Sequence, residues 1–409
     1  MRFLMFFLTT TALSFGCSQN SGPENLSTSG VVPIADTSVV EPGTLHAENA
    51  ESESERPPGM VLIPAGKFHM GGDAGEMGGN SHSHQTSYPI HEVMLDAFWI
   101  DATEVTNRDF AKFVEATGYV TFAEKPLSKK TRDELKLAAA YNLRQLKQEL
   151  LHCSPDEKKA IEATIERVEN ASKLSQATAG AIVFSKPKSE LYNSTDINQW
   201  WRLEPTANWR MPEGPGTSWK DRMDHPVVNV TYEDAQAYAK WAGKRLPTEA
   251  EWEKAARGGL DRLPYAWGRE MFPEGKDIWM ANIWQGEWPH NNIASDGYVM
   301  TSPVKTFPPN PFGLYDIAGN VWEIVSDYYH PQAYAMKSAG TRNPKGPSRQ
   351  QVAQPGQRVI LRVTRGGSFL CSDVWCKGYQ PGARQPFDNE SPSNHTGFRC
   401  AMDAINVVD

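Results

Sequence analysis

Glycine and proline punctuate this chain throughout, 32 and 29 of its 409 residues. That constrains the fold more than any other feature. Glycine favours turns that other residues resist, and proline interrupts helices and sheet ladders. A helical bundle is therefore a poor fit. The 13 tryptophans and the wider aromatic content supply a different means of cohesion, aromatic packing between loops. The length suits one large domain or two ordinary ones. The formal net charge of −8 argues against nucleic acid as a partner, because that function needs a basic footprint.

The N-terminus reads as an address. Arg2 is followed by an almost wholly apolar run from Phe3 to Leu13. That run is too short to span a bilayer and matches the apolar region of a signal peptide. It ends at Ser14-Phe15-Gly16-Cys17, similar to a bacterial lipoprotein cleavage site with Cys17 as the lipidated residue. Ser14 stands where Leu is usual, and ordinary cleavage nearby is the alternative. Residues 18–57 are rich in Ser, Glu, Gly, Pro and Thr and read as a disordered linker. The expected product is exported, at a periplasmic or cell-surface location, with a membrane tether through Cys17.

The remainder, 58–409, reads as one α+β domain with much irregular structure. Met60 to Ile63 and Val93 to Ile100 have the apolar character of strands. Asn107 to Ala116 fits a short helix, with Phe110, Phe113 and Val114 on one face. Thr231 with Asp234, and Thr248 with Glu251, have the spacing of reciprocal helix caps. Residues 131–176 differ from the rest. Leu135, Ala139, Leu143, Leu146 and Leu150 form one stripe, Ser154-Pro155 starts a second helix, and Ile161, Ile165 and Val168 follow. This predicts an inserted helical hairpin, with Cys153 a free thiol in its turn.

Five cysteines occur, at positions 17, 153, 371, 376 and 400. Beyond Cys17 four remain, and their number alone does not fix how they pair. Cys371 and Cys376 are close enough for a soft metal site, a redox pair or a small disulfide. Thiolates favour Cu(I) and zinc. Cys400 and His395 are the nearby residues that could complete a zinc site. Spacing alone leaves these readings open.

The surroundings of the pair resemble the formylglycine-generating enzymes, the sulfatase-modifying factors. The matching runs are Glu104-Val105-Thr106-Asn107, Leu246 to Glu253, Asn282 to Glu287, Phe312 to Glu323, Arg365-Gly366-Gly367-Ser368 and Ser393 to Cys400. They occur in family order over about residues 59–403, interrupted by the hairpin. The resemblance implies a C-type lectin-like core. It also implies an oxidase that converts a sulfatase cysteine, in a motif resembling Cys-x-Pro-x-Arg, to Cα-formylglycine. Cys371 and Cys376 would hold Cu(I), the substrate cysteine would join as a third thiolate, and dioxygen would be the co-substrate. By the same resemblance, a hydrogen would be taken from the substrate Cβ and the resulting thioaldehyde would hydrolyse. Ser368 matches a position beside the oxygen pocket, Trp322 an aromatic wall of it, and Arg384 and Asn394 the substrate cleft. The partner implied is an unfolded or nascent sulfatase, met by a monomer.

The resemblance also implies two structural calcium sites. One is formed by Asn282, Asp296 and the carbonyls of Ile283 and Tyr298, the first set and the more firmly expected. The other is formed by Asp316, Glu323 and the carbonyls of Gly319 and Val321. Carboxylate, amide and carbonyl oxygens are what calcium takes. Asp316 replaces a more usual Asn. His82, His84 and His91 are read as loop and strand residues without a metal. Ala239, Ala256 and Pro381 occupy positions where vertebrate members have cysteines, which leaves Cys400 free and buried. The segment Ser372-Asp373-Val374-Trp375 departs from better-known members. The alternative function is a non-catalytic surface-binding lipoprotein of the same fold, with Cys371 and Cys376 as a disulfide.

Overall fold

The computed structural model describes residues 56–72, 86–152, 179–187, 199–273, 278–336, 341–353, 360–374 and 376–404. It also describes Lys158, Ile161, Glu162, Ile165, Glu166 and Glu169. The expected signal peptide, Cys17, nearly all of the linker, His82, His84, Cys153 and Trp375 lie outside these residues.

In chain order the strands begin with β1 (Met60–Ile63), β2 (Gly66–Met70), β3 (His91–Leu95) and β4 (Phe98–Asp101). Helices α1 (Asn107–Thr117) and α2 (Lys129–Glu149) follow, then β5 (Ala181–Phe184) and β6 (Trp201–Glu204). Next come α3 (Tyr232–Trp241), α4 (Glu249–Arg257), β7 (Gly286–Glu287), β8 (Asn291–Asn292) and β9 (Trp322–Tyr328). The chain closes with β10 (Thr341–Arg342), α5 (Arg349–Val352), β11 (Arg362–Arg365), β12 (Arg384–Phe387), β13 (Thr396–Gly397) and β14 (Ala401–Asp403). The architecture is α+β, with short strands in several small sheets.

Residues Val93 to Ile100, expected as one strand, form two. β3 pairs with β2 and β10, whereas β4 pairs with β1 and β14. The break falls at Asp96-Ala97, where the Asp96 amide donates to Asn343 Oδ1 at 2.9 Å. The sheet that carries the site has the order β12-β11-β9-β13, with β13 parallel to β9.

Both capping predictions hold. Thr231 and Asp234 form a capping box on α3, and Thr248 and Glu251 form one on α4. Gly258 ends α4 in the left-handed region, at φ 59°. Thr248→Ala is expected to lower unfolding free energy by about 1 kcal/mol, measurable by urea denaturation. Of the predicted hairpin, α2 is present, and buried Leu146 packs with Leu143, Ile161 and Ile165. Lys147 and Glu169 form an ion pair across it at 3.3 Å.

Aromatic packing dominates the interior, as the composition requires. Phe110 meets Phe113 and Trp209 edge-on, both with centroids 5.3 Å apart, and stacks on Tyr238 at 5.8 Å. A second core surrounds Trp252 with Ile63, Leu95, Ile100, Leu314 and Val363. Cys400 is free and buried in the first of these cores. No helix among the described residues is long and apolar enough to cross a membrane.

Candidate functional site

The turn after β11 carries the cysteine pair. Gly366 and Gly367 have φ of 89° and 74°. A Cβ on Gly367 would stand 2.5 Å from the Tyr379 amide nitrogen, so only glycine lets the two segments meet. The Cys371 amide donates to the Ser368 carbonyl at 2.9 Å, and the Leu370 amide donates to Ser368 Oγ at 3.3 Å. These bonds fold residues 368–371 into a tight turn. The Cys371 carbonyl then accepts from the Trp284 amide at 2.9 Å.

Cys371 and Cys376 are joined as a disulfide, with Cα atoms 5.3 Å apart. Cys371 is buried and Cys376 partly exposed. The Lys377 amide closes the intervening loop on the Ser372 carbonyl at 3.0 Å, and the Gly378 amide lies 3.4 Å from Cys376 Sγ. Trp322, at the start of β9, is buried with Cys371, Tyr379, Ile283, Ala281 and Ala318. Its indole lies so close to Gly378 that an added Cβ would approach it to 2.5 Å, and Cys371 Sγ to 2.9 Å. Gly378→Ala is therefore expected to lower stability by about 1–3 kcal/mol. It should also speed alkylation of the reduced cysteines, because the packing that shields Cys371 is displaced.

Asn394 is buried, and its Oδ1 accepts from the Phe184 amide at 3.0 Å. Its Nδ2 has no hydrogen-bond partner among the described residues. Arg384 does not line a cleft. It is fully buried and bound to Glu249 by two bonds, Nε at 2.6 Å and a terminal nitrogen at 3.0 Å. Its guanidinium also lies 4.8 Å from the Tyr329 and Tyr334 ring centres. A charge so enclosed must be paired, and Glu249 supplies the pairing.

Two neighbours of the site take places that the sequence reading did not give them. His395 Nδ1 lies 3.1 Å from Ser368 Oγ, and the imidazole packs on Trp201 with centroids 4.8 Å apart. Burial pushes the His395 pKa down to about 3, so the ring is neutral. Glu104 stands beside the second oxygen-rich set.

In the first set, Asp296 accepts from the Ile283 and Tyr298 amides at 3.1 and 3.0 Å. The Ile283 carbonyl accepts from the Gln285 side-chain amide, Nε2. Asn282 Oδ1 is buried without a partner among the described residues. The fit to a cation there is partial, because one expected carbonyl is already engaged. The second set makes the stronger demand. Glu323 is held by Arg399 at 2.7 Å through each oxygen, and by Trp252 Nε1 at 2.7 Å. Asp316 Oδ1 and Glu104 Oε2 are buried with no partner among the described residues. Burial, with the Glu323 charge adding to it, raises the Asp316 pKa to about 6. Burial and the charges of Asp316 and Glu323 raise Glu104 well above its usual range. Two unpaired carboxylate oxygens in one buried acidic cluster suit a hard cation. The carbonyls of Gly319 and Val321 lie on the chain between Asp316 and Glu323. Gly319 there has φ 76°, and a Cβ on it would meet the Asn282 carbonyl. No three His, Cys, Asp or Glu side chains converge as a metal group among the described residues, so backbone carbonyls would have to complete any site.

A family model described as the sulfatase-modifying factor enzyme 1-like domain matches residues 46–404. The chain is 40% identical over 355 residues to the formylglycine-generating enzyme of Thermomonospora curvata, covering 87% of this chain and 96% of that protein. It is 41% identical over 346 residues to the formylglycine-generating enzyme of Streptomyces coelicolor, covering 85% and 90%. It is also 32% identical over 350 residues to the inactive C-alpha-formylglycine-generating enzyme 2 of Mus musculus, covering 85% and 86%. Identity of this extent along nearly the whole domain, with the glycine turn and both cysteines in place, makes the chain a member of the sulfatase-modifying factor enzyme 1-like family.

Proposed function

We propose that this chain is a formylglycine-generating enzyme, an oxidase that converts a sulfatase cysteine to Cα-formylglycine. The observation that carries the proposal is the pair of sulfurs, Cys371 and Cys376, held face to face beside buried Trp322. Reduced, these two soft donors suit Cu(I) and leave room for a third thiolate from the substrate. Copper, when bound, would supply the dioxygen chemistry that side chains cannot. The chain's residues do the rest. Cys371 and Cys376 present the sulfurs, and Trp322 walls the site from water. Ser368, one turn from Cys371, would offer its hydroxyl oxygen, and the unpartnered Asn394 Nδ2 would donate to a peptide carbonyl.

A peptide resembling Cys-x-Pro-x-Arg, incubated with oxygen and the copper-loaded protein, should show the mass change from thiol to aldehyde. No conversion by protein verified to bind one Cu(I) would overturn the proposal for that peptide class. The disulfide is then the oxidised, resting form of the site. The alternative, a surface-binding lipoprotein in which this disulfide is permanent, predicts no Cu(I) uptake after reduction. We further propose that the enzyme acts after export, tethered through lipidated Cys17, on sulfatases not yet folded.

Calcium at the Asp316 and Glu323 set, with the Asn282 and Asp296 set as the second site, completes the proposal. In the metal-free protein the raised Asp316 pKa means that the folded state binds its proton more tightly than the unfolded chain. The contribution of Asp316 to stability therefore falls as pH rises from 3.8 to about 6 and is level above. Calcium would offset the burial of the ionised carboxylate, and its repulsion by Glu323, by binding that form. The thermal midpoint should rise on adding calcium, by more at about pH 7.5 than at about pH 5. Equal shifts at both values would count against this set.

A further inference from the structure

Ser368 is fully buried, so its hydroxyl proton needs an acceptor. Its Oγ already receives the Leu370 amide at 3.3 Å. The acceptor the structure offers the hydroxyl is His395 Nδ1, at 3.1 Å. The imidazole is itself fixed from two other directions. Trp201 of β6 packs on its ring, and the His395 carbonyl accepts from the Trp322 amide at 2.9 Å. Three separate chain segments thus converge to place one nitrogen against one hydroxyl. No hydrogen bond to a substrate or to a charged group is needed to explain that placement.

We infer that His395 is the positioning residue of Ser368: its Nδ1 accepts the hydroxyl proton and fixes the direction in which Oγ meets the occupant of the site. The neutral ring carries its own proton on Nε2. With its proton committed to His395, Ser368 Oγ keeps only a lone pair for an occupant of the site. The inference rests on the proposed formylglycine chemistry for its consequence in turnover. It does not rest on that chemistry for the hydrogen bond itself.

Two substitutions separate positioning from packing. His395→Phe keeps an aromatic ring against Trp201 and removes the acceptor. His395→Asn can place an amide oxygen near the position of Nδ1. With copper-loaded protein and the Cys-x-Pro-x-Arg peptide, His395→Phe should lower kcat about 10- to 100-fold, with KM for the peptide little changed. His395→Asn should recover most of that loss. Equal losses in both variants, or wild-type kcat in His395→Phe, would overturn the inference. If wild-type protein does not convert the peptide, the formylglycine proposal fails, and the pair is read directly. The ¹⁵N spectrum of the wild-type protein should show His395 Nδ1 unprotonated, with a shift that moves in Ser368→Ala. A protonated Nδ1, or a shift indifferent to Ser368→Ala, would overturn it by that route.

Discussion

Cys376→Ser is expected to abolish tight Cu(I) binding and formylglycine formation together, lowering turnover by about 1,000-fold or more, which is about 4 kcal/mol of lost transition-state stabilisation. A serine oxygen is a hard donor and holds Cu(I) poorly. A single remaining thiolate has no partner with which to form the two-sulfur site. Cys371→Ser should behave alike in both measurements. The two positions should differ in one respect. Cys371 is buried and Cys376 partly exposed, so alkylation of the reduced protein should label Cys376 first, and one equivalent should suffice to block copper. Competition with a Cu(I) chelator, followed by mass spectrometry of the peptide product, checks the whole expectation. Conversion that survives Cys376→Ser would remove the two-sulfur mechanism.

The second large effect is on stability. Glu249→Gln is expected to cost about 3–5 kcal/mol, a large share of the stability of an ordinary domain. Glu249 accepts from Arg384 at 2.6 and 3.0 Å and from Arg365 at 3.0 Å. Glu253 accepts from Arg365 at 2.6 Å and from Arg257 at 2.7 Å. The Tyr334 hydroxyl bridges to Glu249 at 3.0 Å. Three guanidinium groups share two carboxylates inside the protein, and neutralising one carboxylate leaves Arg384 without its anion. Burial pushes the Glu253 pKa up, and Arg257 and Arg365 more than offset it, so the pKa is lowered. The contribution of this group is therefore present above its ordinary value of 4.5 and is lost as pH falls through the lowered folded value. Urea denaturation at neutral pH gives the cost of Glu249→Gln. A change below about 1 kcal/mol would mean that the cluster is not the anchor its geometry describes.

Local chemistry was legible in the sequence, and distant partnership was not. Thr231 and Thr248 announce their helices because a cap and its reply lie three residues apart. The cysteine turn is legible for the same reason, since Gly366, Gly367 and Ser368 adjoin it. The burial of Arg384 was not legible, because its partner Glu249 is 135 residues away and nothing near Arg384 in the chain shows that it will be enclosed. His395 lies 27 residues from Ser368, and its pairing depends on β13 running beside β9. The expected strand Val93 to Ile100 failed for a topological reason. An apolar run has the same appearance whether it stays in one sheet or crosses to another at Asp96.

Two of the residues between the sulfurs, Asp373 and Val374, stand apart from the bonds that close the loop on Ser372. Asp373 and Val374 are exposed, Val374 by 77%. The flanks, by contrast, are anchored by the Arg365 ion pairs before the turn and by the close fit of Gly378 on Trp322 after it. Mutational drift in this short loop can therefore proceed at little cost to the fold. A lineage, or a library randomised at Asp373 and Val374, could explore new client peptides while the same reactive centre is inherited intact.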